Sequence, residues 1–274
     1  MTIRLGRIGY LNVLPIYHPL ESGLIDNDFT VVSGPPSELN GLMDRGELDI
    51  SAASSIEYGR HPGKYYLVPD VAIGSRGPVQ SVLLLSRHPA KELSGKDILV
   101  SAQTHTSAAL LRILQAELWG IETGYTTGSA TAALEKGDLP DAILAIGDEA
   151  LNLRYHPDYP HRFDLGEAWR ELTGLPFIFG VWLVQRSSWD RSREKLQYAA
   201  RTLIEGKIWG VSHMPDVCTM AADASCLSDE EMCSYFHGLV YEFGPKEQQG
   251  LLAFYERLKA HGLLDEVPEL HFLP

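Results

Sequence analysis

Short apolar runs that stop at Gly, Ser or Asn, each followed by a helix-spaced stretch, set the rhythm of this chain. Ile3, Leu5 and Ile8 form a first strand that ends at Gly9, and Pro15 suits the first turn of a helix carrying Tyr17 and Leu20. Residues 29–33 read as a second strand. Residues 36–45 place Leu39, Leu42 and Met43 on one helical face and end at Gly46. A third strand spans 48–53 and a short helix 56–60, so the order is β-α-β-α, the sign of a parallel sheet. Strands at 71–74 and 79–86 follow. A fresh series then runs strand 97–101, helix 106–118, strand 124–126, helix 129–135, strand 142–146 and helix 149–155. One more apolar strand, 178–184, precedes a tail read as nearly all helix: 188–212, 214–224, 228–236 and 246–261.

Two such series with strands leading between them predict a two-lobed α/β protein. The expected lobes are 1–86 plus 184–274, and 87–183, with strands 79–86 and 178–184 as the two crossings. Crossings without a flexible linker imply a hinged clamshell whose ligand sits in the cleft. In open α/β sheets that cleft lies beyond the carboxyl ends of the strands. The strand ends there deliver Asn12, Ser54, Ser55, Gln80, Ser81, Thr104 to Ser107, Gly147 and Asp148.

Most of these are neutral hydrogen-bond donors. Asn12 offers one acceptor and two donor hydrogens without charge, or else caps the helix that follows it. Thr106 and Ser107 open a helix whose first N–H groups lack internal acceptors and suit an anion, and Ser54 and Ser55 open another. Each hydroxyl taken alone also reads as a helix cap. Two donor-rich helix starts facing one cleft suit a substrate with two carboxylates. Asp148 is the one acid at this rim, a general base or an N-cap. Phe177, Phe179 and Trp182 are candidates to wall the pocket, or plain core. Ser81 lacks the surroundings of a hydrolase nucleophile, and no phosphate or dinucleotide loop is present.

Composition narrows the partners. The net charge of −13 disfavours nucleic acid and anionic membranes, although a local cluster of donors can still hold a small anion. No apolar run is long enough to cross a bilayer. The opening residues show neither an apolar leader nor a small-residue cleavage site, so the cytoplasm is expected. Three cysteines, Cys218, Cys226 and Cys233, match no zinc spacing and are expected as buried apolar thiols. Ten scattered histidines form no ligand pair, so no metal site and no cofactor are expected.

The stretches R-I-G-Y-L-N-V-L-P, G-P-P-S-E-L-N, L-D-I-S-A-A-S-S-I-E-Y, G-P-V-Q-S-V-L-L-L-S, T-H-T-S-A-A-L-L-R, A-I-G-D-E-A-L and T-G-L-P-F-I-F-G-V-W run in order from Arg7 to Trp182. Together they resemble the chorismate dehydratase family of the futalosine route to menaquinone. The resemblance implies a type II periplasmic-binding-protein-like fold put to use as a cytoplasmic, cofactor-free lyase. That enzyme converts chorismate, a dicarboxylate, to 3-[(1-carboxyvinyl)oxy]benzoate with loss of water. It places Asn12 and Ser81 among the important polar cleft residues and Thr106-Ser107 at a substrate carboxylate; Ser54, Ser55, Gln80 and Gly147 are expected as substrate contacts from their places at the strand ends. The base is either Asp148 or the substrate's own enolpyruvyl carboxylate. A solute-binding protein and the sister enzyme, which makes 1,4-dihydroxy-6-naphthoate, are the alternatives. The sister carries a His-Glu pair near the position of Gly147-Asp148, and this chain has no imidazole there.

Overall fold

A computed structural model describes residues 2–102 and 104–274 of the chain. The first half alternates strands and helices: Arg4–Ile8 (β1), Leu14–Glu21 (α1), Thr30–Gly34 (β2), Pro36–Asp44 (α2), Ile50–Ser54 (β3), Ser55–Arg60 (α3), Tyr65–Ser75 (β4) and Val82–Ser86 (β5). Next come Asp97–Val100 (β6), His105–Leu114 (α4), Gly124–Thr127 (β7), Ala130–Glu135 (α5), Ala142–Ile146 (β8), Gly147–Leu153 (α6), His161–Asp164 (β9), Leu165–Thr173 (α7) and Phe177–Gln185 (β10). The tail contributes Arg186–Arg191 (α8), Arg193–Ser212 (α9), Met214–Asp223 (α10), Asp229–Gly238 (α11), Leu239–Val240 (β11) and Pro245–Ala260 (α12).

These strands build two sheets, one per lobe. The first has the order β11-β4-β10-β3-β1-β2 and the second β7-β6-β8-β5-β9. In the first, β1 runs parallel to β2 and β3, and β10 lies antiparallel between β3 and β4. In the second, β6 is parallel to β7 and β8, and β5 is antiparallel to β8 and β9. The two-lobed α/β clamshell expected from the sequence is therefore present.

Its seams lie elsewhere than expected. The strand expected over 79–86 begins at Val82 and belongs wholly to the second sheet, and the strand expected over 178–184 lies wholly in the first. Neither is a crossing strand. The chain passes between lobes in the short pieces Arg76–Ser81 and Gly174–Pro176 instead. All five residues of β5 are buried, and a fully buried strand is equally at home in either sheet.

Other differences have local causes. The strand expected over 71–74 runs back to Tyr65 through Pro69 and Asp70. Asp70 takes φ +56°, and the pairing with β10 slips register there, the mark of a bulge that interrupts the apolar pattern. β9 and α7 were not anticipated, because H-R-F-D carries too little apolar signal for a strand. Cys218 and Cys233 are not two free thiols. They are joined as a disulfide between α10 and α11, which leaves Cys226 free and exposed.

The tail returns to the first lobe. α9 lies on α1 so closely that a Cβ on Gly210 would stand 2.0 Å from Pro15 O, and one on Gly206 2.4 Å from Ile16 O. That contact fixes the helix following Asn12. Gly210→Ala is expected to lower stability by about 1–3 kcal/mol, the usual cost of overpacking, read as a lower urea midpoint at unchanged slope.

Candidate active site

Between the two sheets lies a pocket lined by residues of both lobes. From the first lobe it is lined by Ile8, Tyr10, Asn12, Ser54, Phe179 and Trp182. The segment between lobes and the second lobe supply Ser81, Thr104, Thr106, Ser107 and Gly147. Among the described residues no Asp, Glu, Lys, Arg or His lines it. No group of three potential ligands for a metal ion occurs among the described residues either.

Asn12 and Ser54 are the residues most plainly set up for a ligand. Asn12 Oδ1 and Ser54 Oγ are buried with no hydrogen-bond partner in the protein. Such atoms are costly unless something else satisfies them. Asn12 does not cap α1, whose N-cap position is Val13 and carries no side-chain hydrogen bond. Its backbone carbonyl accepts a hydrogen bond from Tyr241 Oη at 3.0 Å.

Ser81 is only 2% exposed and is held on several sides. Its Oγ accepts from Tyr235 Oη at 3.1 Å, and its carbonyl accepts from Gly147 N at 2.7 Å. The backbone just before it is clasped by Asp164, whose carboxylate accepts from Val79 N at 2.9 Å and Gln80 N at 2.7 Å. The same carboxylate caps α7 through Gly166 N and Glu167 N at 2.9 and 3.1 Å. Burial raises the Asp164 pKa against the pull of these four donors. The clasp holds Gln80 at φ +60°, and the strained turn aims Ser81 inward.

Thr104, Thr106 and Ser107 stand at the start of α4, where helical N–H groups have no internal acceptor. Thr106 also joins the lobes, its Oγ1 accepting from Ile56 N at 3.1 Å. Gly147 closes the opposite side with φ +57°, and a Cβ there would stand 2.9 Å from the Tyr10 ring. The lobes touch across the cleft, and polar contacts outside it join them as well. Arg257 Nε lies 3.1 Å and His261 Nε2 2.9 Å from the Glu117 carboxylate, and Arg154 Nη2 lies 2.6 Å from Glu231 Oε1.

Three residues expected at the site are turned elsewhere. Gln80 donates through Nε2 to Ser234 O at 3.2 Å, outside the cavity. Ser55 is fully buried away from the lining, and its carbonyl accepts from Tyr255 Oη at 2.7 Å. The Asp148 carboxylate accepts from Leu11 N at 3.3 Å, across the cleft and behind the Tyr10 wall. Phe179 and Trp182 line the cavity as the aromatic pattern allowed, whereas Phe177 packs in the core against Trp169 and Phe254. Tyr235 and Tyr241 were not foreseen. Nothing in their own neighbourhoods marks them, because their partners lie far away in sequence.

Comparison with known proteins turns this geometry into kinship. A family described as menaquinone biosynthesis matches the chain over residues 3–260. The chain belongs to that family. The chorismate dehydratase of Thermus thermophilus is 29% identical over 93% of this chain and 94% of its own. The 1,4-dihydroxy-6-naphtoate synthase of Streptomyces coelicolor matches less well, at 25% identity over 82% of this chain and 80% of its own. Among solved structures, the periplasmic aliphatic sulphonate binding protein of Escherichia coli aligns with a TM-score of 0.67. It is 15% identical and covers 98% of this chain and 95% of its own, so the periplasmic-binding-protein-like fold is shared. Among the described residues no helix is long and apolar enough to cross a membrane.

Burial raises the Asp148 pKa, and the Leu11 N–H only partly offsets it. A carboxyl with a raised folded pKa favours the folded state at low pH, and that advantage is lost as pH rises through the raised value. Asp148→Asn keeps an acceptor for Leu11 N without the buried charge. Its thermal midpoint is expected to match the wild type near pH 4 and to exceed it near pH 7. A difference that did not change with pH would mean Asp148 is solvated.

Proposed function

We propose that the protein is a chorismate dehydratase, eliminating water from chorismate to give 3-[(1-carboxyvinyl)oxy]benzoate. On this reading it serves the futalosine route to menaquinone and works in the cytoplasm. The observation that carries the reading is the pocket, lined by no charged side chain among the described residues, that joins Asn12 and Ser81 to the start of α4. The kinship with the Thermus thermophilus enzyme supports it. The sister cyclase is the weaker reading, on lower identity and on the absence of an imidazole at Gly147-Asp148.

The chemistry needs little from the protein. The C3 hydrogen of chorismate is acidified by conjugation through the ring double bond to the ring carboxylate. Once that proton leaves, its electron pair spreads into the ring and carboxylate, hydroxide departs from C4 with a proton, and the ring becomes aromatic. One water is lost and the enolpyruvyl ether stays attached. The protein has to hold two carboxylates, stabilise the spread charge and exclude bulk water.

Each task falls to a named group. The start of α4, with Thr106 and Ser107, binds a carboxylate through N–H and O–H donors. Ser54 adds a hydroxyl and Gly147 a close backbone wall. Asn12 orients the ring and Ser81 donates toward the departing hydroxyl. No protein carboxylate or imidazole lines the cavity among the described residues, so the base is the enolpyruvyl carboxylate of the substrate. Asp148 holds the Leu11 backbone and acts as an orienter. The scheme calls for no cofactor.

Incubation with chorismate is expected to consume the cyclohexadiene absorbance and give an aromatic product lighter by one water in mass spectrometry. Asn12→Ala and Ser81→Ala are each expected to lower turnover by ~10²-fold, as for a lost transition-state donor. Asp148→Asn is expected to stay within about threefold of wild type, whereas loss of a general base costs ~10²–10⁴-fold. Chorismate recovered intact after tight binding would make the protein a solute-binding module instead.

A further inference from the structure

Two tyrosines of the helical tail reach the reactive pair from behind. Tyr235, on α11, is 0% exposed and does not line the cavity. Its phenol donates to Ser81 Oγ at 3.1 Å. Tyr241, just past β11, is 3% exposed and donates to the Asn12 carbonyl. Burial raises the pKa of both phenols, so each remains a neutral donor throughout the working pH range.

A serine hydroxyl has one hydrogen to give and two lone pairs to accept with. Because Tyr235 supplies a donor to Ser81 Oγ, the single Ser81 hydrogen is left to point elsewhere, and the cavity is the open direction. Chained hydrogen bonds polarise one another, so a phenol behind Ser81 makes it a better donor to whatever lies in front. Tyr241 holds the Asn12 backbone from the same tail, so the two residues share one anchor although they lie on different segments of chain.

The anchor itself is rigid. At its N-terminal end α11 carries a capping box in which Ser228 and Glu231 satisfy each other's backbone groups. Glu231 is paired with Arg154 of the second lobe. Two residues before Tyr235, Cys233 is tied to Cys218 on α10.

We infer that Tyr235 is a positioning residue for the dehydration: it fixes Ser81 as a hydrogen donor toward the substrate. This inference rests on the proposed activity. It assigns the tail a part in the reaction beyond packing, through a group that never touches the substrate.

The test is a double-mutant cycle on chorismate turnover with Tyr235→Phe, Ser81→Ala and the pair combined, each checked by thermal denaturation. Tyr235→Phe removes one oxygen and keeps the ring. It is expected to lower kcat by ~10-fold, about the size of one lost hydrogen bond, with KM nearly unchanged and the thermal midpoint within about 3 °C. In the Ser81→Ala background the same change is expected to cost less than about twofold, because the hydroxyl it acts through is gone. Wild-type kcat in Tyr235→Phe would overturn the inference, and so would an equal fold-loss in both backgrounds, which would mark a packing role. A wild-type protein inert toward chorismate would overturn the proposed activity and the inference with it. Should Tyr235→Phe denature early, kcat measured below its transition in both backgrounds gives the same comparison.

Discussion

The arrangement depends on a single carboxylate placed where the chain changes lobes. Asp164 accepts hydrogen bonds from Val79 and Gln80 on the way into the second lobe, and from Gly166 and Glu167 soon before the chain leaves it. Two distant stretches of backbone are thereby fastened to one side chain. The clasp also sustains the left-handed turn at Gln80, which costs free energy in a non-glycine residue and persists only where its surroundings enforce it. Ser81 follows directly, so the direction of the candidate donor is set by a hydrogen-bonded hinge and owes little to its own rotamer.

A cavity lined by no charged side chain among the described residues is at first sight a poor host for a dianion in a chain of net charge −13. Helix-start N–H groups and hydroxyls resolve the difficulty, because they attract negative charge without adding a cation that would itself need burial. Such donors also suit a reaction whose negative charge moves across a ring. Fixed dipoles around the path need no reorganisation as the charge shifts. A lysine in the same place would favour one end of that path.

Much of this was legible in the sequence. The alternation of apolar runs with helix-spaced segments located the strand ends, and placing polar residues at those ends found Asn12, Ser54, Ser81, Thr106, Ser107 and Gly147. The failures share a cause. Gln80 and Ser55 sit beside residues that line the pocket but do not line it themselves, and a one-residue change of direction leaves no compositional trace. The lobe boundary was misplaced because β5 is apolar on both faces. Tyr235 and Tyr241 escaped notice because their partners lie 154 and 229 residues away. In the sequence they are unremarkable tail aromatics, and only the fold brings them behind the cleft.

The position of β10 has a consequence for how the molecule comes into being. The strands of the second sheet all fall between Asp97 and Asp164 apart from Val82–Ser86, so they emerge from the ribosome as one uninterrupted block. The first sheet has no such continuity. Its β3 and β4 are made early, yet they become neighbours only through Phe177–Gln185, synthesised about a hundred residues later. Until then each shows the growing polypeptide an unpaired edge, a surface that invites wrong partners. The nascent chain thus carries a half-built sheet while the later lobe is already complete, and the gap between β3 and β4 closes only when β10 arrives.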